Sequence, residues 1–221
     1  MADLRTSLKN IQIFRSLVYR LRLLEERHSY RFGRNNKIDN QGIKLDTRIQ
    51  IRGNNNQVVV GKGAVLKQAK LFIQGSLNRI IIHPNVYLEE TVIHIEDNNC
   101  LIEIGEHTFV GPSHLACTED GRSIVIGNDC MLSSHINVRT GDSHSILDSN
   151  GKRINPAESV VISDHCWIGE GAKIMKGVTL QKDTIVASGS IVTHSFPSNV
   201  ILAGSPAKAI KEGVNWDKKR L

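Results

Sequence analysis

Aromatic side chains are scarce here: Phe, Trp and Tyr make up 5% of the 221 residues, while hydrophobic residues of all kinds make up 40%. A core of that composition has to be filled by small and branched aliphatics, which suits a repetitive architecture better than a packed α/β globule. There are four cysteines, Cys100, Cys117, Cys130 and Cys166, and none forms a CxxC pair. That spacing argues against a zinc site or a disulfide framework, and the four read as buried, reduced thiols of a cytosolic protein. No apolar stretch approaches the ~18 residues needed to span a bilayer. The start lacks the uninterrupted apolar segment of a signal peptide, so the expected location is the cytoplasm. Lys and Arg outnumber Asp and Glu by 28 to 22, with no run of five or more basic residues. Nucleic acid is therefore the least favoured partner for the positive charge. Anionic lipid, an acidic polymer and a phosphate-bearing cofactor remain.

What the chain does have is a rhythm. The segments "IQIRGNNNQVVVGKGAVL" (49–66), "LFIQGSLNRIIIHPNVYL" (71–88) and "IHIEDNNCLIEIGEHTFV" (93–110) superimpose with a 22-residue step. Ile51, Ile73 and Ile95 recur at that step, as do Val60, Ile82, Ile104 and Ile126. Small polar corners separate the two landmarks: "GNNN", "GSLN", "DNNC" and "EDGR". After residue 160 the step shortens to 18, built from hexads such as "ISDHCW", "IGEGAK" and "IMKGVT". A six-residue unit with one obligatory aliphatic predicts three short strands per coil, folded as a triangular prism. The first residue of each hexad points inward, and Gly, Asn and Asp turn the corners. One coil cannot cover its own inward face, so stacking supplies the core.

The ends read differently. Leu4, Leu8, Ile11, Phe14, Val18, Leu21 and Leu24 fall at helical spacing, predicting an amphipathic helix within 1–30. Such a helix packs on its own domain or a subunit neighbour, and its basic residues also suit peripheral contact with an anionic membrane. Residues 209–221 follow a Pro-marked turn and predict a short, charged surface helix.

The hexads, together with "TGDSHSI", "WIGEGAKI" and "IVTHSFPSNVILAGSPAKAI", resemble the left-handed β-helix, hexapeptide-repeat acyltransferases. Within that family the similarity is greatest to bacterial O-acetyltransferases of capsular polysaccharide, polysialic acid or O-antigen sugars. The resemblance covers about residues 50–210. It implies an all-β solenoid over 31–208, with the N-terminal helix before it and the C-terminal helix after it. It also implies a homotrimer with active sites in clefts between prisms, and acetyl-CoA as acyl donor. No metal and no nucleic acid are expected. A metal triad of the γ-carbonic-anhydrase kind would need three histidines meeting across a subunit boundary, including a close pair separated by four residues, and no two histidines have that spacing.

The rhythm breaks at "NVRTGDSHSILD" (137–148), where the polar stretch 145–159, with Asn-Gly and Asn-Pro turn signals, predicts a loop thrown out from the prism wall. His144 sits at its root. Moving an acetyl group from a thioester to a sugar hydroxyl needs a base, and imidazole is suited to the task near neutral pH. The resemblance assigns that role to His144, acting in a ternary complex without an acyl-enzyme; His135 is the second candidate. Asp142 reads either as a partner that fixes the imidazole tautomer, as an orienter of a sugar hydroxyl, or as a turn residue. Trp167, 23 residues after His144 and at the end of a hexad, suits a flat partner such as pantetheine or a sugar face. By resemblance Gly169 and Ala187 line the pantetheine channel, Thr193 and His194 stand beside the adenine end, and Lys208 lies near the 3′-phosphate. His194 replaces the lysine common in relatives. Beside surface-glycan O-acetylation stand three alternatives: an N-acyltransferase of nucleotide-linked amino sugars, an antibiotic O-acetyltransferase, and a non-catalytic assembly module.

Overall fold

The structure, a computed structural model, describes residues 29–219. The predicted N-terminal helix lies almost wholly outside them. Every regular element among the described residues is a β-strand, and the strands form three sheets of eight, seven and nine members, parallel except for the last strand of the nine, a β-helix of the left-handed type. Each coil contributes one strand to each sheet in turn, so the sheets are the three faces of a prism.

Pairing follows the rhythm of the sequence. Ile51 lies in register with Ile73 and Ile73 with Ile95, and Val60 with Ile82 and Ile82 with Ile104. All these side chains are buried, and they meet in one continuous aliphatic core. At roughly 1.5–3 kcal/mol for each fully buried aliphatic side chain, that column is the main stabilising feature. All four cysteines are buried and free, and hydrogen bonding to Cys100 and Cys130, together with burial, pushes the pKa of the Cys117 and Cys166 thiols up.

The corner after the first face carries the polar repeats. Asn55 and Asn99 there have left-handed φ values of 57° and 56°, a conformation asparagine tolerates. Gly53 and Gly75 have φ near +129° and +128°, and a Cβ on Gly53 would come within 1.8 Å of the Gly75 carbonyl oxygen. Only glycine fits such stacking.

The excursion expected at 145–159 lies between the strands Ile136–Arg139 and Val160–Ile162, and within it 145–155 close into a small hairpin: Leu147 bridges Arg153, and Ile154 N–H donates to the Ile146 carbonyl at 2.9 Å. Asp148 Oδ1 closes its tip, accepting from the backbone of Asn150 and Lys152 at 2.9 Å each. The expected C-terminal helix is corrected outright. Ala207–Glu212 is a strand that runs antiparallel to Val200–Gly204. The Gly204–Pro206 turn folds the chain back on the last face, where the open edge of that sheet has backbone groups to satisfy. A run of six residues gains more from that ladder than from an isolated helical turn.

Candidate active site

The prism geometry sorts the candidate residues into two groups. Going round a coil the chain runs first face, first corner, second face, second corner, third face, third corner. The first corner therefore lies opposite the third face.

At the first corner, Val138, Ile174 and Val192 are in register on three successive coils. Just beyond them come Thr140 to His144, then Lys176, then Thr193 and His194. His144 is exposed, and the residue before it, Ser143, has φ 67°. A non-glycine residue in that region marks a position held by its surroundings. Asn155 is the holder. Only 6% exposed, its side-chain amide donates to the His144 carbonyl at 2.8 Å and to Asp142 Oδ2 at 2.9 Å. Its Oδ1 accepts from Ile146 N–H at 2.7 Å. One buried amide thus ties the Asp142 side chain before His144 to the backbone at and just after it.

Asp142 is engaged elsewhere than the imidazole. Lys176, from the next coil, reaches its Oδ2 at 2.6 Å. That ammonium, with the Asn155 amide, holds the carboxyl below its usual range. Below the hairpin, Arg153 forks onto both carboxylate oxygens of Glu119, which also accepts from Ala157 N–H at 3.2 Å. The coil closes where Glu158 N–H donates to the Thr140 carbonyl at 2.8 Å. In the last coil the Thr193 hydroxyl and His194 Nδ1 lie 2.8 Å apart, both residues exposed.

The remaining candidates lie on the third face or its edge. Trp167 is 37% exposed, and its neighbours along the outward column are Met131 and Ile185. Gly169 follows at the end of the same strand. A Cβ there would lie 2.6 Å from Ser188 N and 2.8 Å from the Val186 carbonyl, so close stacking of coils already requires glycine. Ala187 stands one coil on, its N–H donating to the Leu202 carbonyl at 2.8 Å. Lys208 is exposed on the returning strand, paired with Ala203. His135 occupies the third corner, its Nδ1 3.5 Å from Glu170.

Three residues at these places were missed by sequence reasoning: Asn155, Lys176 and Trp216. Asn155 looked like a turn signal before Pro156, and Lys176 like an ordinary corner lysine. Trp216 lies far along the chain, yet its ring stacks on His165 at 4.6 Å and stands 5.9 Å from Trp167.

Two further surfaces flank the site. The outward column of the third face runs Ile43, Val65, Tyr87, Phe109, Met131, Trp167, Ile185 and Ile201, apolar throughout. The hairpin at the opposite corner exposes Ile146, Leu147 and Ile154, each more than half accessible (54%, 55% and 59%).

Comparison with known proteins agrees with this architecture. Residues 159–194 match the family model described as bacterial transferase hexapeptide (six repeats). The chain is 32% identical over 191 residues to the polysialic acid O-acetyltransferase of Neisseria meningitidis, spanning 85% of this chain and 88% of that one. The chain belongs to the hexapeptide-repeat acyltransferases. A second relative in that family, the polysialic acid O-acetyltransferase of Escherichia coli O1:K1, is 33% identical over 136 residues, and the match spans 43% of its length. Among solved hexapeptide-repeat structures, the polysialic acid O-acetyltransferase OatWY superimposes with a TM-score of 0.82 at 29% identity, covering 87% of this chain and 93% of that one. The polySia specific acetyltransferase NeuO gives 0.80 at 30%, covering 88% and 90%.

Proposed function

We propose that this acyltransferase moves an acetyl group from acetyl-CoA to a hydroxyl of an acidic bacterial surface glycan of the polysialic acid type, in a site made by two copies of the chain. His144 removes the proton from the acceptor hydroxyl as the oxygen attacks the thioester carbonyl. The tetrahedral adduct collapses with the coenzyme sulfur as leaving group, and the imidazolium returns its proton to that thiolate. No residue of the chain becomes acylated, so no Ser or Cys nucleophile is needed, consistent with four buried cysteines. Asp142, clasped by Lys176 and Asn155, holds the root of the hairpin in place. Trp167 offers a flat apolar surface to the coenzyme arm or the sugar. Gly169, Ala187 and Lys208, with Thr193 and His194 from the other side, border the coenzyme.

The observation that carries this reading is the opposition of the two groups across one prism. His144 stands at the first corner and Trp167 on the face opposite, separated by the aliphatic core. A groove containing both requires a neighbour. The apolar hairpin on one side and the apolar column on the other are complementary in a head-to-tail contact, and such a contact repeated by a three-fold rotation closes into a trimer. That contact brings His144 of one copy to Trp167 of the next.

Intersubunit complementation tests it. His144→Ala and Trp167→Ala chains are each expected to be nearly inactive with acetyl-CoA and polysialic acid. Oligomers assembled from the two together should regain a measurable fraction of thiol release, since some interfaces carry both native residues. Mixed oligomers no more active than their parents would refute the shared site.

A further inference from the structure

After the returning strand the chain descends the second corner of the prism. Val214 N–H donates to the Asn199 carbonyl, and Asn199 Nδ2 donates back to the Val214 carbonyl, both at 3.1 Å. Next Trp216 lays its ring over His165, centroids 4.6 Å apart and planes 10° from parallel, while its Nε1–H donates to the His165 carbonyl at 2.8 Å. His165 is itself fixed by Asp183 Oδ1, 2.7 Å from Nδ1. Lys218 then pairs with Asp129 and donates to the His107 carbonyl at 3.3 Å. The tail is a strap tied at successive coils, and its aromatic member is held by a stack and a hydrogen bond together. The same ring stands tilted against Trp167, centroids 5.9 Å apart and planes at 42°.

Trp167 needs such a neighbour. It stands on a two-residue strand, its ring projecting from the wall, and its column neighbours Met131 and Ile185 are flexible or branched aliphatics that do not set a ring plane. We propose that Trp216 is a positioning residue of the active site: anchored on His165, it sets the plane of the Trp167 indole, so that the C-terminal strap forms one wall of the substrate groove. This rests on the reading that Trp167 faces substrate.

The test compares Trp216→Ala, Trp216→Phe and Trp167→Ala in the full-length oligomer, with acetyl-CoA and polysialic acid as substrates. The chain has only two tryptophans, so the near-ultraviolet circular dichroism of indole reports this pair alone. Trp216→Ala is expected to raise KM for the substrate that lies on Trp167 by about tenfold, the size of one lost aromatic contact, with kcat within about twofold. The indole dichroism should collapse in the same variant, while Trp216→Phe keeps KM near that of the native chain. Native KM values for both substrates in Trp216→Ala, beside an impaired Trp167→Ala, would overturn the positioning role and leave the role of Trp167 standing. Native kinetics in Trp167→Ala would instead remove the underlying reading, and this inference with it. If Trp216→Ala is insoluble, Trp216→Leu replaces it, and a Leu variant kinetically equal to the Phe variant overturns the proposal.

Discussion

The same corner of the prism is used in two ways along its length. In the lower coils it is filled with side chains that satisfy each other. Asn56 Nδ2 donates to the Gly75 carbonyl, Asn78 N–H to Asn56 Oδ1, Asn78 Nδ2 to the Asp97 carbonyl and Cys100 N–H to Asn78 Oδ1, all within 2.8–2.9 Å. An outer column of Asn54, Ser76, Asn98 and Asp120 does the same at the surface. In the upper coils that corner is opened by the hairpin, and its side chains turn to His144, Lys176 and His194. The strands change too. On the first face they run five residues at Lys70–Gln74 and Val92–Glu96 but two at Lys173–Ile174 and Ile191–Val192. Long coils with self-satisfied corners give rigidity. Short coils, with that corner opened by the hairpin, leave side chains such as His144 and His194 exposed.

Substitutions at matched places should separate those two uses. The largest effect is expected at His144. His144→Ala should lower turnover by ~10²–10⁴-fold, with thermal stability within about 0.5 kcal/mol of native because the side chain is exposed. A parallel activity and melting measurement checks both halves. Asn78→Ala should do the reverse. It strips partners from the buried Cys100 N–H and the Asp97 carbonyl, at a cost of about 1–3 kcal/mol, while kcat of the folded fraction stays native. A fall in kcat there would mean that the lower coils are not a passive support.

A smaller effect, of opposite sign, is expected at Leu77. It occupies the corner position of Asn55 and Asn99 with φ 62° and is 56% exposed. Leu77→Asn should raise stability by about 1 kcal/mol, since asparagine tolerates that conformation and little buried contact is lost. The smallest effect concerns Asp142. Its folded pKa lies below the ordinary 3.8, so its pairing with Lys176 stabilises the fold above that pH and is lost as pH falls through the lowered value. Melting temperatures taken downward from pH 3.8 should fall more steeply for the native chain than for Asp142→Asn.

Much of the architecture was readable because period and burial are the same fact in a solenoid. A residue such as Ile95 faces inward since its neighbours one coil away, Ile73 and Cys117, do too. The break at 137–148 and the loop 145–159 after it were readable for the same reason: Met131 pairs with Trp167 across 36 residues, two short coils' worth of chain for one step of the stack. What could not be read depends on side chains meeting across unrelated stretches. Lys208 sits in a segment whose composition favours a helix, and only the open strand edge beside it decides otherwise. Asn155 and Pro156 look like any turn until the amide is seen bonded on either side of His144. That His144 and Trp167 belong to opposite sides of one prism follows from counting faces between them, and spacing alone cannot do that.

The bond between the Thr140 carbonyl and Glu158 N–H, 2.8 Å long, joins the points where the chain departs from the wall and where it comes back. The coil is complete whether or not anything hangs from it, and longer excursions add only a slowly growing entropic cost. That corner is a socket. Arms of other lengths and compositions fit it without disturbing the column beneath, as attachments to a standing frame.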